Sequence, residues 1–315
     1  MSDSRGHIGL DLGGTNIKWA VVEQSGPQGW QTLDRGQVAT DVSGGDLSVV
    51  PQLAALAVEV RNGVSGRVAS LGVAVPGLYI PETSVVTFLT NVPGDWSATP
   101  VGVPLAKATG LPTAIINDAR AFGLAELRFG AGRAVDSFIG LTLGTGIGGV
   151  FALGNQVVQG YRGQAGELGH QTIDPDGPWC GCGDRGCVEA YARADEVARL
   201  CGTDDPRQAI EAARAGDERA IAGLAQIGRY LGIGISNAVT VLTPDLVILG
   251  GGWASAGDLI IGPIKAEMRR RVITTPVERI DVVLAELGTW AGAIGAAVHG
   301  AESAGATDGS GGTSA

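Results

Sequence analysis

A glycine-rich segment in the middle of the chain carries one histidine and three closely spaced cysteines. These four residues are His170, Cys180, Cys182 and Cys187. One imidazole nitrogen and three thiolates form a closed tetrahedral set of the kind that structural zinc prefers, and the interleaved glycines let the backbone wrap tightly around an ion. Three buried thiols without metal, or a strained disulfide within Cys180-Gly181-Cys182, are the alternatives. The spacing favours structural zinc, and Cys201 is expected to be an ordinary core cysteine.

Two glutamates are the first and last residues of this region. We call residues 167–189 the cysteine segment. Glu167 lies three residues before His170, and Glu189 lies two residues after Cys187. Because all four metal positions are taken by protein, we do not expect the metal to act as a Lewis acid. Its expected role is to hold the two carboxylates together, where they can bind vicinal hydroxyls. His170 can also bind a sugar through its second ring nitrogen, although metal-bound histidines usually give that nitrogen to a supporting partner.

An asparagine and an aspartate, Asn117-Asp118, stand where a predicted strand ends and a helix begins. An aspartate in this place can simply cap the helix by accepting its free N–H groups. It can also be a general base, since ligands bind at the carboxyl edge of open α/β sheets. In phosphoryl transfer such a base orients a hydroxyl and takes its proton, and Asn117 is suited to hydrogen-bond a sugar. The pair alone leaves both interpretations open.

Three glycine clusters follow predicted strands, and glycine lets backbone N–H groups approach a phosphate closely. Each cluster by itself can be no more than a turn, and none matches the P-loop or the dinucleotide-binding pattern. Two such turns facing one another can hold a polyphosphate, with Asp11 near its magnesium. The expected nucleotide-binding residues are Asp11, Gly13, Gly14, Thr15 and Lys18 in the first, Gly144, Thr145 and Gly146 in the second, and Gly250, Gly251 and Gly252 in the third.

The first two clusters belong to a repeat. The sequence Ile-Gly-Leu-Asp-Leu-Gly at residues 8–13 reappears as Ile-Gly-Leu-Thr-Leu-Gly at residues 139–144. A repeat this long is not a solenoid, so it indicates two related α/β domains that each open with a strand, a glycine turn and a second strand; chance matches in a glycine-rich chain are the alternative. The patterns predict strands at 7–12, 17–23, 31–40, 68–75, 113–116, 246–249 and 280–285, and helices at 46–61, from 118, within 189–241, at 258–271 and at 289–299.

The composition excludes several functional classes. The 315 residues carry a net charge of −10, which argues against a broad nucleic-acid surface because such a surface needs clustered cations. No apolar run approaches the length of a membrane span, and no secretory signal is visible at the N-terminus. Clustered cysteines without a disulfide framework favour a reducing compartment, so we expect a cytoplasmic protein. Residues 304–315 are rich in Gly, Ser and Thr and are expected to be disordered.

Together these motifs resemble the ROK family of sugar kinases and sugar-responsive repressors, over about residues 8–299. The resemblance rests on residues 11–15, 117–118, 143–149, 163–170 and 180–189. It implies that Asp118 is the catalytic base and that the zinc ligands are His170, Cys180, Cys182 and Cys187. It further implies sugar contacts from Gly77, Asn91, Asn117, Asp118, Glu167, His170 and Glu189.

The resemblance also implies a fold and an activity. The fold is α/β, with two ribonuclease-H-like (actin/hexokinase-type) domains around a central cleft: residues 1–120 with 289–303, and residues 121–288. The activity is phosphorylation of a hexose at its 6-hydroxyl by magnesium ATP, with glucose the leading substrate. Mannose, fructose, an N-acetylhexosamine, polyphosphate as donor, and a non-catalytic sugar sensor remain open. Family members are often homodimers or homotetramers. The first strand is expected to begin by about residue 7, which leaves no room for the repressors' DNA-binding domain, so nucleic acid is not expected as a partner. The lack of a long apolar run argues against a membrane partner.

Overall fold

The computed structural model describes residues 5–24 and 29–309, which fold into two compact units. Unit 1 comprises the described residues within Met1–Gly130, Gln159–Gln164 and Thr289–Ala315, and unit 2 comprises Ala131–Val158 and Ala165–Gly288. The boundary expected at residue 120 falls inside the helix Asp118–Arg128. That helix packs on the C-terminal helix of the same unit, so the division comes after Gly130. The assignment of residues 159–164 to unit 1 has no counterpart in the sequence expectation.

Unit 1 is built on a five-stranded sheet with the order β3-β2-β1-β4-β8. The first three strands pair antiparallel, whereas β1 with β4 and β4 with β8 pair parallel. The strands of this sheet are β1 Gly6–Leu12, β2 Asn16–Gln24, β3 Trp30–Ala39, β4 Val68–Val75 and β8 Thr113–Asn117. A smaller antiparallel sheet, which the sequence patterns did not predict, contains β5 Gly77–Ile80, β6 Val85–Leu89 and β7 Thr99–Pro100.

Helices cover the sheet of unit 1. They are α1 Asp46–Gly63, α2 Gly102–Thr109, α3 Asp118–Arg128 and α9 Ala291–Gly309. Helix α9 lies directly on the strands because both surfaces are made of small residues. A β-carbon built on Gly9 of β1 would lie 1.9 Å from the carbonyl oxygen of Ala293, and one on Gly72 of β4 would lie 1.7 Å from that of Ala296. This close packing brings the start of α9 to the end of β1.

Unit 2 repeats the plan of unit 1. Its sheet has the order β11-β10-β9-β12-β13, with antiparallel pairing among β9, β10 and β11 and parallel pairing of β9 with β12 and of β12 with β13. The strands are β9 Phe138–Leu143, β10 Ile147–Leu153, β11 Gln156–Val157, β12 Leu246–Gly250 and β13 Asp281–Leu284. Equal strand order and pairing sense in the two sheets confirm the duplicated α/β architecture.

The helices of unit 2 are α4 Val188–Ala192, α5 Ala194–Cys201, α6 Pro206–Arg214, α7 Glu218–Leu242 and α8 Asp258–Arg271. Helix α7 contacts α8 most extensively, because Gly228 and Gly232 let its backbone approach Ile260 and Ile264. No helix in the described part of the chain is long and apolar enough to cross a membrane.

The C-terminal residues differ from the prediction that residues 304–315 are disordered. Helix α9 continues to Gly309, so residues 304–309 are helical and not disordered as expected. Alanine is frequent among residues 291–306, and its high helix propensity outweighs the nearby glycines. The last part of the predicted disordered segment, residues 310–315, lies outside the described residues.

Candidate functional site

The cysteine segment brings its four predicted metal ligands together. One ligand atom from each of His170, Cys180, Cys182 and Cys187 lies within 4.8 Å of the others. The Sγ atoms of Cys182 and Cys187 are 3.6 Å apart, and Nδ1 of His170 lies 3.6 Å from Sγ of Cys180. A tetrahedron with Zn–S bonds of about 2.3 Å has S–S edges of about 3.8 Å. The donor chemistry and the spacing therefore both fit a four-coordinate zinc ion.

Tight turns produce this cluster. The backbone N–H of Cys180 donates to the carbonyl oxygen of Asp184, and that of Gly183 donates back to Cys180. Gly183 and Gly186 have φ values of +95° and +66°, which side-chain-bearing residues rarely adopt. At Gly186 a β-carbon would also lie 1.6 Å from the carbonyl oxygen of Asp174. These glycines are therefore required for the loop to close.

The thiols of the cluster differ in their surroundings. Burial raises the pKa of Cys180, and it raises the pKa of Cys187 to about 12. The backbone N–H of Asp184 lowers the pKa of Cys182, whose side chain is exposed. A bound cation is the ordinary means by which proteins keep buried cysteines as thiolates.

Glu189 connects the cysteine segment to the second glycine turn. It lies in the first turn of α4, where the side chain of Val188 packs against Gly234 of α7. Its Oε2 atom accepts a hydrogen bond of 2.8 Å from the backbone N–H of Ile147, the first residue of β10. Its Oε1 atom lies 3.6 Å from Sγ of Cys180. The carboxylate thus bridges the metal cluster and the residue that follows Gly146.

The motif around Glu167 also packs on β10. A β-carbon on Gly169 would lie 1.9 Å from the carbonyl oxygen of Ile147, and one on Gly149 would lie 2.5 Å from the carbonyl oxygen of Gly166. Only glycine permits such approaches. Glu167 itself is exposed at the start of a 3-10 turn, Leu168–His170.

The structure joins two of the three glycine clusters within unit 2. The second glycine turn closes through a 3.0 Å hydrogen bond from the N–H of Gly144 to the carbonyl oxygen of Gly146. Gly251, with φ of +95°, lies against Leu143, because a β-carbon there would be 2.4 Å from the backbone nitrogen and oxygen of Leu143. Trp253, which sequence reasoning did not select, donates from Nε1 to the carbonyl oxygen of Gly144 at 3.2 Å. Gly250 ends β12 beside them, and the space around Gly252 is open.

In unit 1, Asp11 and the first glycine turn form one hairpin. Asp11 lies opposite Lys18 in the register of β1 and β2, and its carboxylate lies against Gly292 of α9, where a β-carbon would be 2.4 Å from Oδ2. Burial raises the pKa of Asp11 from its usual 3.8 to about 6, and the nearby charge of Lys18 opposes that rise. The carboxylate is therefore held where its negative charge is poorly solvated, as a cation-binding group often is.

The loop around Asn91 contacts the first glycine turn. A β-carbon on Gly14 would lie 2.2 Å from the carbonyl oxygen of Asn91, a residue with φ of +60°. Thr40, the residue after β3, makes two hydrogen bonds to the turn. Its Oγ1 donates to the carbonyl oxygen of Gly13 at 2.7 Å, and its backbone N–H donates to the carbonyl oxygen of Thr15. Asn91, an expected sugar contact, and the first glycine turn, an expected phosphate contact, are therefore neighbours within unit 1.

Asn117, not Asp118, caps helix α3. Its Oδ1 atom accepts hydrogen bonds from the backbone N–H groups of Ala119 and Arg120, and its Nδ2 atom donates to the carbonyl oxygen of Gly77 at 3.3 Å. Asp118 is the first helical residue, partly buried, with Oδ1 2.9 Å from the N–H of Ala119. Asn117 is therefore the N-cap of α3, and Asp118 accepts one hydrogen bond from the same first turn, from the N–H of Ala119.

Arg120 is a second residue that the sequence did not point to. Its side chain is 1% exposed, and NH1 donates to Oδ1 of Asn117 at 2.8 Å. A buried guanidinium beside the cap fixes the orientation of the Asn117 amide. A lone arginine inside a helical pattern gives no sequence signal of such a role.

Nearly the whole chain is similar to proteins of known family and structure. The sequence model of the ROK family matches residues 7–301. A glucokinase of Thermotoga maritima is 34% identical over 309 residues, which cover 92% of this chain and 95% of the relative. The crystal structure of a ROK hexokinase from Thermus thermophilus is 34% identical, with a TM-score of 0.81 and coverage of 96% of this chain and 100% of that one. A ROK family glucokinase from Streptomyces griseus, solved with glucose and AMPPNP, is 31% identical, with a TM-score of 0.79 and coverage of 94% and 99%.

Proposed function

The chain belongs to the ROK family, and from this premise we propose that it is an ATP-dependent hexose kinase that phosphorylates glucose at the 6-hydroxyl. The observation that carries the proposal is the match to a glucokinase at 34% identity over 92% of the chain. The fold is that of a ROK hexokinase.

Asp118 is the proposed general base. It follows a strand of the unit 1 sheet at the edge where α/β folds bind ligands, and the preceding residue, Asn117, is the N-cap of the helix. In the proposed reaction Asp118 accepts the proton of the sugar 6-hydroxyl as that oxygen attacks the γ-phosphorus of ATP and ADP leaves. Most of the catalysis comes from positioning and from charge neutralisation.

The proposed sugar ligands are Asn117, Glu167, His170 and Glu189, with Gly77 and Asn91 as further candidates. Carboxylates and a neutral imidazole nitrogen accept hydrogen bonds from sugar hydroxyls. Nδ1 of His170 faces the cysteines, which leaves Nε2 for a hydroxyl. The tie between Asn117 and Gly77 supports their joint candidacy, since one hydrogen bond orients both.

A structural zinc ion is proposed for His170, Cys180, Cys182 and Cys187. When bound, it holds the cysteine segment in shape and takes no part in the transfer, because protein atoms fill a tetrahedral set. The expected Mg²⁺ accompanies ATP and neutralises charge on its phosphates, with Asp11 as the proposed nearby carboxylate.

The proposed nucleotide contacts are the three glycine clusters and one lysine: Gly13–Thr15, Gly144–Gly146, Gly250–Gly252 and Lys18. We further propose that the protein is cytoplasmic, in keeping with cysteines that form no disulfide, and that it is a homodimer or homotetramer, as ROK family members often are.

The test is a coupled kinase assay with purified protein, Mg²⁺ and a panel of hexoses and phosphate donors. We expect glucose with ATP to give the highest kcat/KM, ahead of mannose, fructose and the N-acetylhexosamines. Higher kcat/KM with an N-acetylhexosamine would move the assignment to that sugar. Glucose binding without ATP turnover on any sugar would refute the kinase and leave a sugar-sensing regulator.

A further inference from the structure

The second glycine turn is held by the cysteine segment from two sides. The N–H of Ile147 donates to Glu189, and the carbonyl oxygen of Ile147 lies against Gly169. Ile147 is the first residue after the turn and is 3% exposed. Its peptide groups therefore cannot move without disturbing the segment that carries the metal cluster.

The turn has no room for a side chain where Glu189 meets it. A β-carbon on Gly146 would lie 2.3 Å from Oε2 of Glu189 and 3.2 Å from its carboxyl carbon. The same oxygen is the acceptor for Ile147, so it cannot retreat without giving up that hydrogen bond. The glycine at position 146 is thus explained by the carboxylate beside it as well as by any phosphate.

We propose that Glu189 is a positioning residue for the nucleotide turn: through the N–H of Ile147 it fixes the backbone of Gly144–Gly146 in the conformation that binds ATP phosphates. This inference rests on the proposed function and adds to the sugar contact expected of Glu189. It gives one carboxylate two tasks, and it makes nucleotide affinity depend on a residue of the sugar-binding segment.

The acceptor oxygen, not the charge, is what the positioning role needs. In Glu189→Gln the amide oxygen can still accept from Ile147 while the NH₂ group faces Sγ of Cys180, 3.6 Å from the present Oε1. In Glu189→Ala the acceptor is lost, and a buried N–H is left without its hydrogen bond. The two variants therefore separate the two tasks of this side chain.

The experiment measures binding of Mg²⁺·AMPPNP without sugar, and of glucose without nucleotide, by titration calorimetry on the full-length protein. For Glu189→Ala we expect the Kd of AMPPNP to rise roughly tenfold, in keeping with loss of a charge-assisted hydrogen bond. For Glu189→Gln it should stay within about twofold of the unsubstituted chain, whereas both variants weaken glucose binding. Glu167→Gln, the matched change in the other flanking glutamate, should weaken glucose and leave AMPPNP within about twofold.

AMPPNP affinity unchanged in Glu189→Ala, or lost equally in Glu189→Gln, would overturn the inference. Zinc content per chain and the melting temperature are measured for each variant, because they show whether the substitution has unfolded the cysteine segment. Should Glu189→Ala lose zinc, Cys182→Ser is the control, because it also loses zinc but keeps Glu189 as the acceptor for the N–H of Ile147. A rise of the AMPPNP Kd in Glu189→Ala that is well above the rise in Cys182→Ser supports the proposal, and an equal rise in both contradicts it.

The double variant Glu189→Ala with Gly146→Ala adds a further check. If alanine at 146 acts by displacing Glu189, the double variant is no weaker than Glu189→Ala alone, and losses that multiply would count against the proposal. Failure of the proposed function looks different. In that case the unsubstituted protein neither binds AMPPNP nor phosphorylates any hexose, so no comparison among variants is needed to recognise it.

Discussion

Replacing Asp11 by asparagine should stabilise the ligand-free protein while abolishing its activity. Burial against Gly292 of α9 raises the pKa of this carboxyl from 3.8 to about 6. A rise of about two pH units corresponds to roughly 3 kcal/mol by which folding disfavours the charged carboxylate. Asparagine has nearly the same shape and no charge, so Asp11→Asn removes that penalty.

The sign of the pH dependence follows from the raised pKa. Between pH 3.8 and about 6 the folded state binds the proton and the unfolded state does not, so the free energy of unfolding of the unsubstituted protein falls as pH rises through this window. The penalty is complete above about pH 6. The stabilisation by Asp11→Asn should therefore be up to about 3 kcal/mol at pH 8 and about 1 kcal/mol smaller at pH 5.5.

Urea unfolding of the metal- and nucleotide-free protein at both pH values measures this difference. Asp34→Asn is the matched control, because Asp34 is exposed on β3 of the same sheet and its acceptor oxygen for Arg35 is kept. We expect that control to stay within about 0.5 kcal/mol. A folded Asp11→Asn protein that is no more stable at pH 8, or whose gain grows as pH falls, would refute the reasoning about burial.

Three further substitutions test separate parts of the site. Asp118→Asn should lower kcat on the order of 10³-fold, as expected for loss of a general base, with the glucose Kd within a few-fold; near-normal kcat would remove Asp118 from that role. Cys182→Ser should reduce zinc, measured by plasma mass spectrometry, from one ion per chain to well below one, because a serine hydroxyl is a poor zinc ligand; full zinc content would contradict the ligand set. Gly169→Ala places a β-carbon 1.9 Å from the carbonyl oxygen of Ile147, so it should cost about 3 kcal/mol of folding free energy, and an unchanged melting temperature would show that the segment shifts freely.

Much of the fold was readable because its signals are local. The repeat at residues 8–13 and 139–144 predicts two hairpins, and the two sheets have the same strand order. Helices α1 and α8 begin at their predicted residues, Asp46 and Asp258. Cysteine spacing likewise predicts the metal cluster, because the ligands lie in one short loop. Each of these inferences needs only short stretches of sequence and no knowledge of tertiary contacts.

What could not be predicted depends on contacts between distant residues. The placement of α3 in unit 1 follows from its packing on α9, where Gly295 meets Ala121. Whether Asn117 or Asp118 caps α3 depends on backbone angles that both residue types can adopt. The hydrogen bond from the N–H of Ile147 to Glu189 joins residues that are 42 positions apart in the sequence, and neither local sequence indicates it. Gly9 and Gly72 lie in predicted strands, and nothing in those strand patterns indicates that they serve close helix packing.

The identity of the phosphorylated hydroxyl tests the central claim most directly. The purified protein is incubated with Mg²⁺·ATP and either glucose or 6-deoxyglucose, and the sugar phosphate is followed by ³¹P nuclear magnetic resonance with ADP release measured in parallel. The proposed function predicts glucose 6-phosphate as the product, one ADP per sugar phosphate, and no phosphate transfer to 6-deoxyglucose. A phosphorylated 6-deoxyglucose, or no sugar phosphate from glucose in zinc-loaded protein, would contradict it.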